Sequence, residues 1–273
     1  MQILLLTTIA AYLLSTAGYL AFLFLQRKPL RQAALALLGL GFVGHTVLLV
    51  AGVFASGHLP VHHLHGTLVV AGWAVTGVFL VIYGRYRLQV LGVYAAPLAL
   101  VILIAASLTP SAPAADKTLF NSFWLISHIA AVFLGDAALA LACGIGILYL
   151  LQENAIKSKR HGFFFRRLPS LDRLDAAGYA CIASGFALLT SGLITGFVYA
   201  HAVWGRFWSA DPKEIWSVIT WLIYAALLHQ RLTVGWRGRR SAVMAIVGFA
   251  LILFTFLGVN FLLKGHHGVF TGQ

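Results

Sequence analysis

Apolar residues gather into eight long runs, near residues 3–25, 33–55, 65–83, 88–108, 122–151, 178–200, 215–231 and 241–263, separated by shorter stretches that hold most of the charge. Each run is close to, or exceeds, the roughly 20 residues that cross a hydrocarbon core of about 30 Å as a helix. Inside such a core every backbone N–H and C=O must be satisfied within the chain, so runs of this length read as helices. The pattern predicts an all-α polytopic membrane protein with about eight transmembrane helices, forming a single integral membrane domain over residues 1–273. Composition narrows this further. The chain is 60% apolar and 10% charged, against about 25% charged in a soluble domain, which excludes an ordinary water-soluble enzyme. Cys143 and Cys181 fall inside apolar runs and form no CxxC or CxxCH pair, so they read as small buried hydrophobes.

The formal charge of +12 is explained by topology. A nucleic-acid groove would need Lys and Arg clustered on one soluble face, whereas here they alternate between loops, so no nucleic acid is expected as a partner. Arg27, Lys28 and Arg31 follow the first run, Arg85 and Arg87 the third, Lys157 to Arg173 the fifth, and Arg231, Arg237, Arg239 and Arg240 the seventh. That is 15 of the 19 basic residues; the other loops and the tail hold Lys117, Arg206, Lys213 and Lys264. Basic residues accumulate in cytoplasmic loops, so both termini are expected outside, in a multi-pass protein of the bacterial inner membrane. The basic residues follow the first run instead of preceding it, which does not fit a cleavable signal. The longest interruption, 152–177, carries Phe163-Phe164-Phe165 beside Arg166 and Arg167, a composition suited to an amphipathic stretch on anionic membrane lipid.

Candidate chemistry begins with eleven histidines, many for so apolar a chain. His58, His62, His63 and His65 fall in the outer loop before the third span, and His58 and His62 read as solvated loop residues. His128 lies just inside the outer end of the fifth span, His201 opens the third outer loop, and His266 and His267 close the eighth. His45 sits near the middle of the second span. His229 lies toward the inner end of the seventh, about 22 Å of helix below Glu214. A histidine at membrane depth is a functional candidate or a hydrogen-bonded structural group, and sequence alone balances the two.

The segment 201–221, HAVWGRFWSADPKEIWSVITW, is the most informative. Trp204, Phe207, Trp208 and Trp216 crowd one outer loop, with Trp221 in the next helix. An aromatic belt needs no ligand to explain it. The turn Asp211-Pro212-Lys213-Glu214, however, embeds fixed charges and a rigid break among the rings, and Asp211 is placed to cap a helix that Pro212 begins. An outward aromatic shelf flanked by imidazoles suits a planar ligand with a metal at its centre. Haem, its iron held by axial histidine, meets both conditions.

The residues Trp204-Gly205-x-x-Trp208-Ser209-x-Asp211-Pro212-Lys213-Glu214-x-Trp216 resemble the tryptophan-rich WWD motif of haem-handling proteins of cytochrome c maturation. The DPKE continuation, with Tyr224 and Leu228-His229-Gln230-Arg231, is most similar to the CcsA/ResC branch of the System II pathway. Trp124-Leu125-x-x-His128 resembles that family's first external haem-ligating segment, and Val259 to His267 resembles the second. The resemblance implies haem b between His128 and His267 on the outer face, with His266 as a possible substitute for His267. It implies contacts from Trp204, Trp208, Asp211 and Trp216, and His229 as the intramembrane histidine of the haem route. The implied partners are a CcsB/ResB-type membrane protein and apocytochrome c. Two positions depart from the family pattern: Ala210 stands where a second Trp is usual, and Asp136 stands mid-helix where a neutral aromatic is expected. An unpaired carboxylate at bilayer centre costs about 2.5–3.5 kcal/mol on insertion scales, so Asp136 calls for a partner or a proton.

The expected function is therefore the haem-handling subunit of a cytochrome c synthase, or haem lyase, which exports haem and presents it for thioether attachment to CxxCH cysteines. A b-type haem electron-transfer protein and a small-molecule transporter are the alternatives. No catalytic acid, base or nucleophile is assigned. Reporter fusions after Arg31, Lys159 and Arg239 should behave as cytoplasmic. A fusion within 109–121 that also behaved so would overturn the assigned orientation.

Overall fold

The computed structural model describes residues 2–57, 61, 63–109, 122–159, 162–163 and 165–258. Eight α-helices carry the described chain: α1 Gln2–Leu25, α2 Lys28–Ser56, α3 Leu64–Tyr86, α4 Gly92–Leu108, α5 Phe123–Lys157, α6 Leu171–Trp204, α7 Pro212–His229 and α8 Arg239–Leu253. A 3₁₀ turn, Gln89–Leu91, leads into α4; π turns follow α7 at Gln230–Val234 and α8 at Phe254–Gly258. No strand occurs among the described residues. Seven of the helices are long and apolar enough to span a bilayer; α7, with Lys213 and Glu214 in its first turn, is the exception. The chain is a multi-pass membrane protein, as the apolar runs predict.

The boundaries differ from the apolar runs chiefly around α5 and α6. Of the stretch 152–177, Gln152–Lys157 extends α5 and Leu171–Ala177 opens α6, leaving only the residues between as a connection. Hydropathy marks where a helix leaves the hydrocarbon, whereas the backbone hydrogen bonds that define it continue into water. At 35 and 34 residues, α5 and α6 are each about 50 Å long, well beyond one hydrocarbon thickness.

Packing places α5 at the centre, against α6, α8 and α3, while α2 joins α1 and α1 joins α4 on one flank and α7 lies against α6 and α8 on the other. The α5–α6 seam closes on glycine. A Cβ at Gly135 would stand 3.1 Å from the Gly185 carbonyl oxygen, one at Gly185 would stand 2.7 Å from Leu139, and one at Gly192 would stand 2.7 Å from Val132. Lipid tails are as apolar as leucine, so association here depends on close backbone contact, which small residues permit.

The antiparallel course gives the bundle two unlike ends. One carries the connections after α1, α3, α5 and α7 and is tied by ion pairs: Arg239 and Lys157 to Glu153 at 3.0 and 2.8 Å, and Arg231 to Asp175 at 2.6 Å. There Arg167 donates to the Phe24 carbonyl at 3.0 Å and lies 3.9 Å over the Phe163 ring, fastening the α5–α6 connection beneath α1. The opposite end carries the tryptophan loop. Replacing Gly185 with Val should drive α5 and α6 apart and lower stability by about 1–3 kcal/mol. A Tm of the detergent-purified variant equal to the parent's would refute the tight-seam account.

Candidate functional site

The tryptophan loop is tied to itself by short-range hydrogen bonds. Helix α6 ends at Gly205, whose left-handed φ of 68° lets its N–H reach the His201 carbonyl at 2.9 Å. Ala210 is also left-handed, at φ 56°, a conformation that costs a non-glycine residue roughly 1–2 kcal/mol. Asp211 then caps α7 as the sequence predicts: its buried carboxylate accepts the Lys213 backbone N–H at 2.9 Å, with Pro212 in the first helical position. Glu214 reaches back to accept both the N–H and the hydroxyl of Ser209, at 2.9 and 2.8 Å. These bonds hold Ala210 in its strained conformation.

The aromatic side chains divide into two sets. Trp204, Phe207 and Trp208 remain about half exposed. Trp204 lies edge-on to Tyr199 at 6.3 Å, Trp208 edge-on to Phe197 at 6.0 Å, and Phe207 stacks on His201 at 4.1 Å. Trp216 instead packs edge-on to Phe254 of the π turn after α8 at 4.6 Å, and Trp221 stacks on Phe186 while donating to the Thr190 hydroxyl at 2.9 Å. Trp216 and Trp221 fasten α7 to its neighbours, whereas Trp204 and Trp208 present open ring surface.

His128 is half-buried on α5. Its Nδ1 is 2.7 Å from the Gly192 carbonyl oxygen. A carbonyl can only accept, so Nδ1 carries the proton and donates, the anchoring that metal-ligating histidines commonly use. Gly196, one turn further along α6, makes room for the ring, since a Cβ there would stand 2.7 Å from Nδ1. The next residue, Phe197, holds Trp208. Thus α5 and α6 seat the His128 ring, and through Phe197 the same stretch of α6 holds Trp208 of the loop. His266 and His267 lie outside the described residues. Among the described residues no three His, Cys, Asp or Glu side chains cluster as a metal site.

His229 is apart from this group. It is exposed in the last turn of α7, about 25 Å of helix from Pro212. Beyond it the π turn is clamped: Arg231 grips Asp175 through both carboxylate oxygens at 3.0 and 2.6 Å, donates to Ser241 at 3.3 Å and covers the Tyr179 ring at 4.6 Å. Asp175 also accepts the Gly238 N–H at 2.9 Å. His45 is fully buried on the opposite flank, 3.2 Å from the Tyr12 hydroxyl, so the two histidines are not brought together.

Two sites were not legible in the sequence. His65 falls inside the first turn of α3, not in a loop, and its Nδ1 binds the Ala106 carbonyl of α4 at 2.7 Å. The Asp175–Arg231 clamp spans 56 residues; its one sequence signal is an acid placed among the basic residues of that end. Cys143 and Cys181 are buried and unpaired, as expected.

Comparison with known proteins agrees with this architecture. The family model described as cytochrome C assembly protein matches residues 61–267. The cytochrome c biogenesis protein CcsA of Pyropia yezoensis is 33% identical, over 81% of this chain and 82% of its own length. That of Gloeobacter violaceus is 32% identical over 94% and 92%. Among solved structures, the cytochrome c heme lyase CcmF superposes with a TM-score of 0.66 at 20% identity, covering 99% of this chain and 48% of CcmF; that likeness establishes the fold. The chain belongs to the cytochrome c assembly protein family.

Loss of the loop's cap should be measurable. Asp211→Ala should lower stability by about 0.5–2 kcal/mol, while Asp211→Asn, which keeps a capping oxygen, should lose less. Equal Tm losses for the two variants would contradict the capping role.

Proposed function

We propose that this protein is the haem-handling subunit of a cytochrome c synthase of the System II type, acting with a CcsB/ResB-type membrane partner to present haem b to apocytochrome c. The observation that carries the reading is the hydrogen bond from His128 Nδ1 to the Gly192 carbonyl, which fixes the imidazole on the same stretch of α6 whose Phe197 holds Trp208. The relatives' names and the family model support the same assignment.

In this reading the tryptophan end faces outward, across the bacterial inner membrane from the arginine-rich end, and both termini are outside. Haem supplies an iron with two axial positions and vinyl groups to which CxxCH thiols add, sulfur bonding to one vinyl carbon and the thiol hydrogen to the other. His128 occupies one axial position and His267 the other, with His266 able to replace His267. Trp204 and Trp208 cover the ring, while Asp211 and Trp216 hold the loop that carries them. The protein's contribution is orientation of the vinyl edge and exclusion of water, which convert a diffusional encounter into a positioned one. His229, too far from His128 for one haem to touch both, ligates at a separate inner position that the partner completes.

His128→Ala should reduce cytochrome c assembly about tenfold or more while the protein still inserts, and added imidazole should restore part of it by filling the vacated position. Gly196→Ala, which crowds the same ring, should give an intermediate loss. Unchanged haem absorbance and full assembly in His128→Ala would exclude the ligand assignment. His229→Ala should diminish haem at the outer site, whereas His45→Ala should assemble nearly as well as the parent when the partner is present.

A further inference from the structure

Two residues separate His229 from Arg231, a rotation of about 200° around a helix, so the two side chains leave the chain on nearly opposite sides. His229 is exposed, whereas Arg231 turns inward and is mostly enclosed. There Asp175, near the start of α6, takes the guanidinium through both carboxylate oxygens at 3.0 and 2.6 Å, and accepts the N–H of Gly238, the residue before α8, at 2.9 Å. The same guanidinium donates to Ser241 of α8 at 3.3 Å and covers the Tyr179 ring of α6 at 4.6 Å. One carboxylate therefore ties the foot of α7 to the starts of two other helices.

The backbone at this point needs such a tie. Helices fray at their last turn, and α7 passes directly from His229 into the widened π turn Gln230–Val234. Within the turn the Thr233 hydroxyl donates to the His229 carbonyl at 2.6 Å, the Trp236 N–H donates to the Gln230 carbonyl at 3.2 Å, and Gly235 closes it at φ 75°. Those bonds keep the shape of the turn but not its place against the bundle. A bidentate Arg–carboxylate pair fixes direction as well as distance, and α6, which holds the carboxylate, is itself seated on α5 by the glycine seam. Because the His229 ring is exposed, its direction follows the backbone that carries it. We infer that Asp175 is a positioning residue for His229: through Arg231 it sets the height and direction of the imidazole at the foot of α7. This role rests on the reading of His229 as the inner haem ligand, and Asp175 itself touches no ligand.

Stability and positioning separate in a series of three variants. Asp175→Asn and Arg231→Met each leave one member of an enclosed pair without its charged partner, so each should lower the Tm of the purified full-length protein by about 3 °C or more. The double variant strands no charge and should recover at least half of that loss, yet it has no fork. A nitroxide on His229→Cys reads the foot of α7 directly, because Cys143 and Cys181 are buried. Its rotational correlation time should fall about twofold in the single variants and stay low in the double. The same label on Leu222→Cys, about two turns earlier on the same exposed face, should not change. Haem at the inner position, read by absorbance of the partner complex in a His128→Ala background, should fall in all three variants toward the level of His229→Ala. A label at 229 that is unmoved, that recovers together with Tm, or that loosens equally at 222 would mark a merely structural pair and overturn the positioning role. So would a loosened label with haem retained where His229→Ala loses it. A loosened label with haem retained even in His229→Ala would instead remove the inner-ligand reading and leave the fixing of position 229 intact. If a single variant does not accumulate, the double variant carries the same label and haem readouts.

Discussion

The close approach of α5 and α6 is the constraint on which the rest of the structure depends. In hydrocarbon there is no water to drive helices together, so contact distance decides how strongly they associate. Glycines 135, 185 and 192 remove the Cβ atoms that would hold the backbones apart. The same omission exposes the Gly192 carbonyl to His128, and Gly196 leaves the hollow that takes its ring. One run of small residues therefore closes the bundle and seats the imidazole in a single tautomer. Packing and site chemistry are two results of one backbone contact.

The bundle's two ends solve different problems with different bonds. At the arginine-rich end, long side chains snorkel toward water and tie neighbouring connections to one another through Glu153, Asp175 and the Phe24 carbonyl. The Asp175–Arg231 pair is mostly enclosed, with side-chain exposures of 19% and 8%, so leaving either member alone would strand a charge at the foot of α7. At the other end the loop is held by short-range bonds among Ser209, Asp211, Lys213 and Glu214, and Trp204 and Trp208 keep about half of their surface exposed. Helix α7, the one of the eight not apolar enough over its length to count as a span, joins the two ends and carries Lys213 and Glu214 at one end and His229 at the other.

His45 and His128 illustrate why histidines at membrane depth need a structure to interpret them. Each sits in a long apolar helix, and each has its Nδ1 within hydrogen-bond distance of a partner. His45 is sealed among α1, α2 and α3, with Tyr12 on Nδ1 and Gly72 close to the ring. His128 is anchored equally firmly on α6, yet remains partly exposed. A sealed imidazole specifies packing; a fixed and open one can bind.

What the sequence by itself determined is what local physics controls. Apolar length set the number and order of helices, and lysine and arginine placement distinguished the two ends. The Asp211-Pro212-Lys213-Glu214 motif specified its own cap, since those bonds join residues two to five positions apart. Tertiary structure decided what depends on contacts between distant residues: the acceptor for His128, 64 residues away, the clamp on Arg231, 56 residues away, and the bond from His65 to Ala106, 41 residues away. It also separated Trp204 and Trp208, left open, from Trp216 and Trp221, used as packing, although all four stand within one short segment. A side chain's neighbours across a helix seam follow from the rotation and approach of whole helices, and hydropathy along one helix does not encode them.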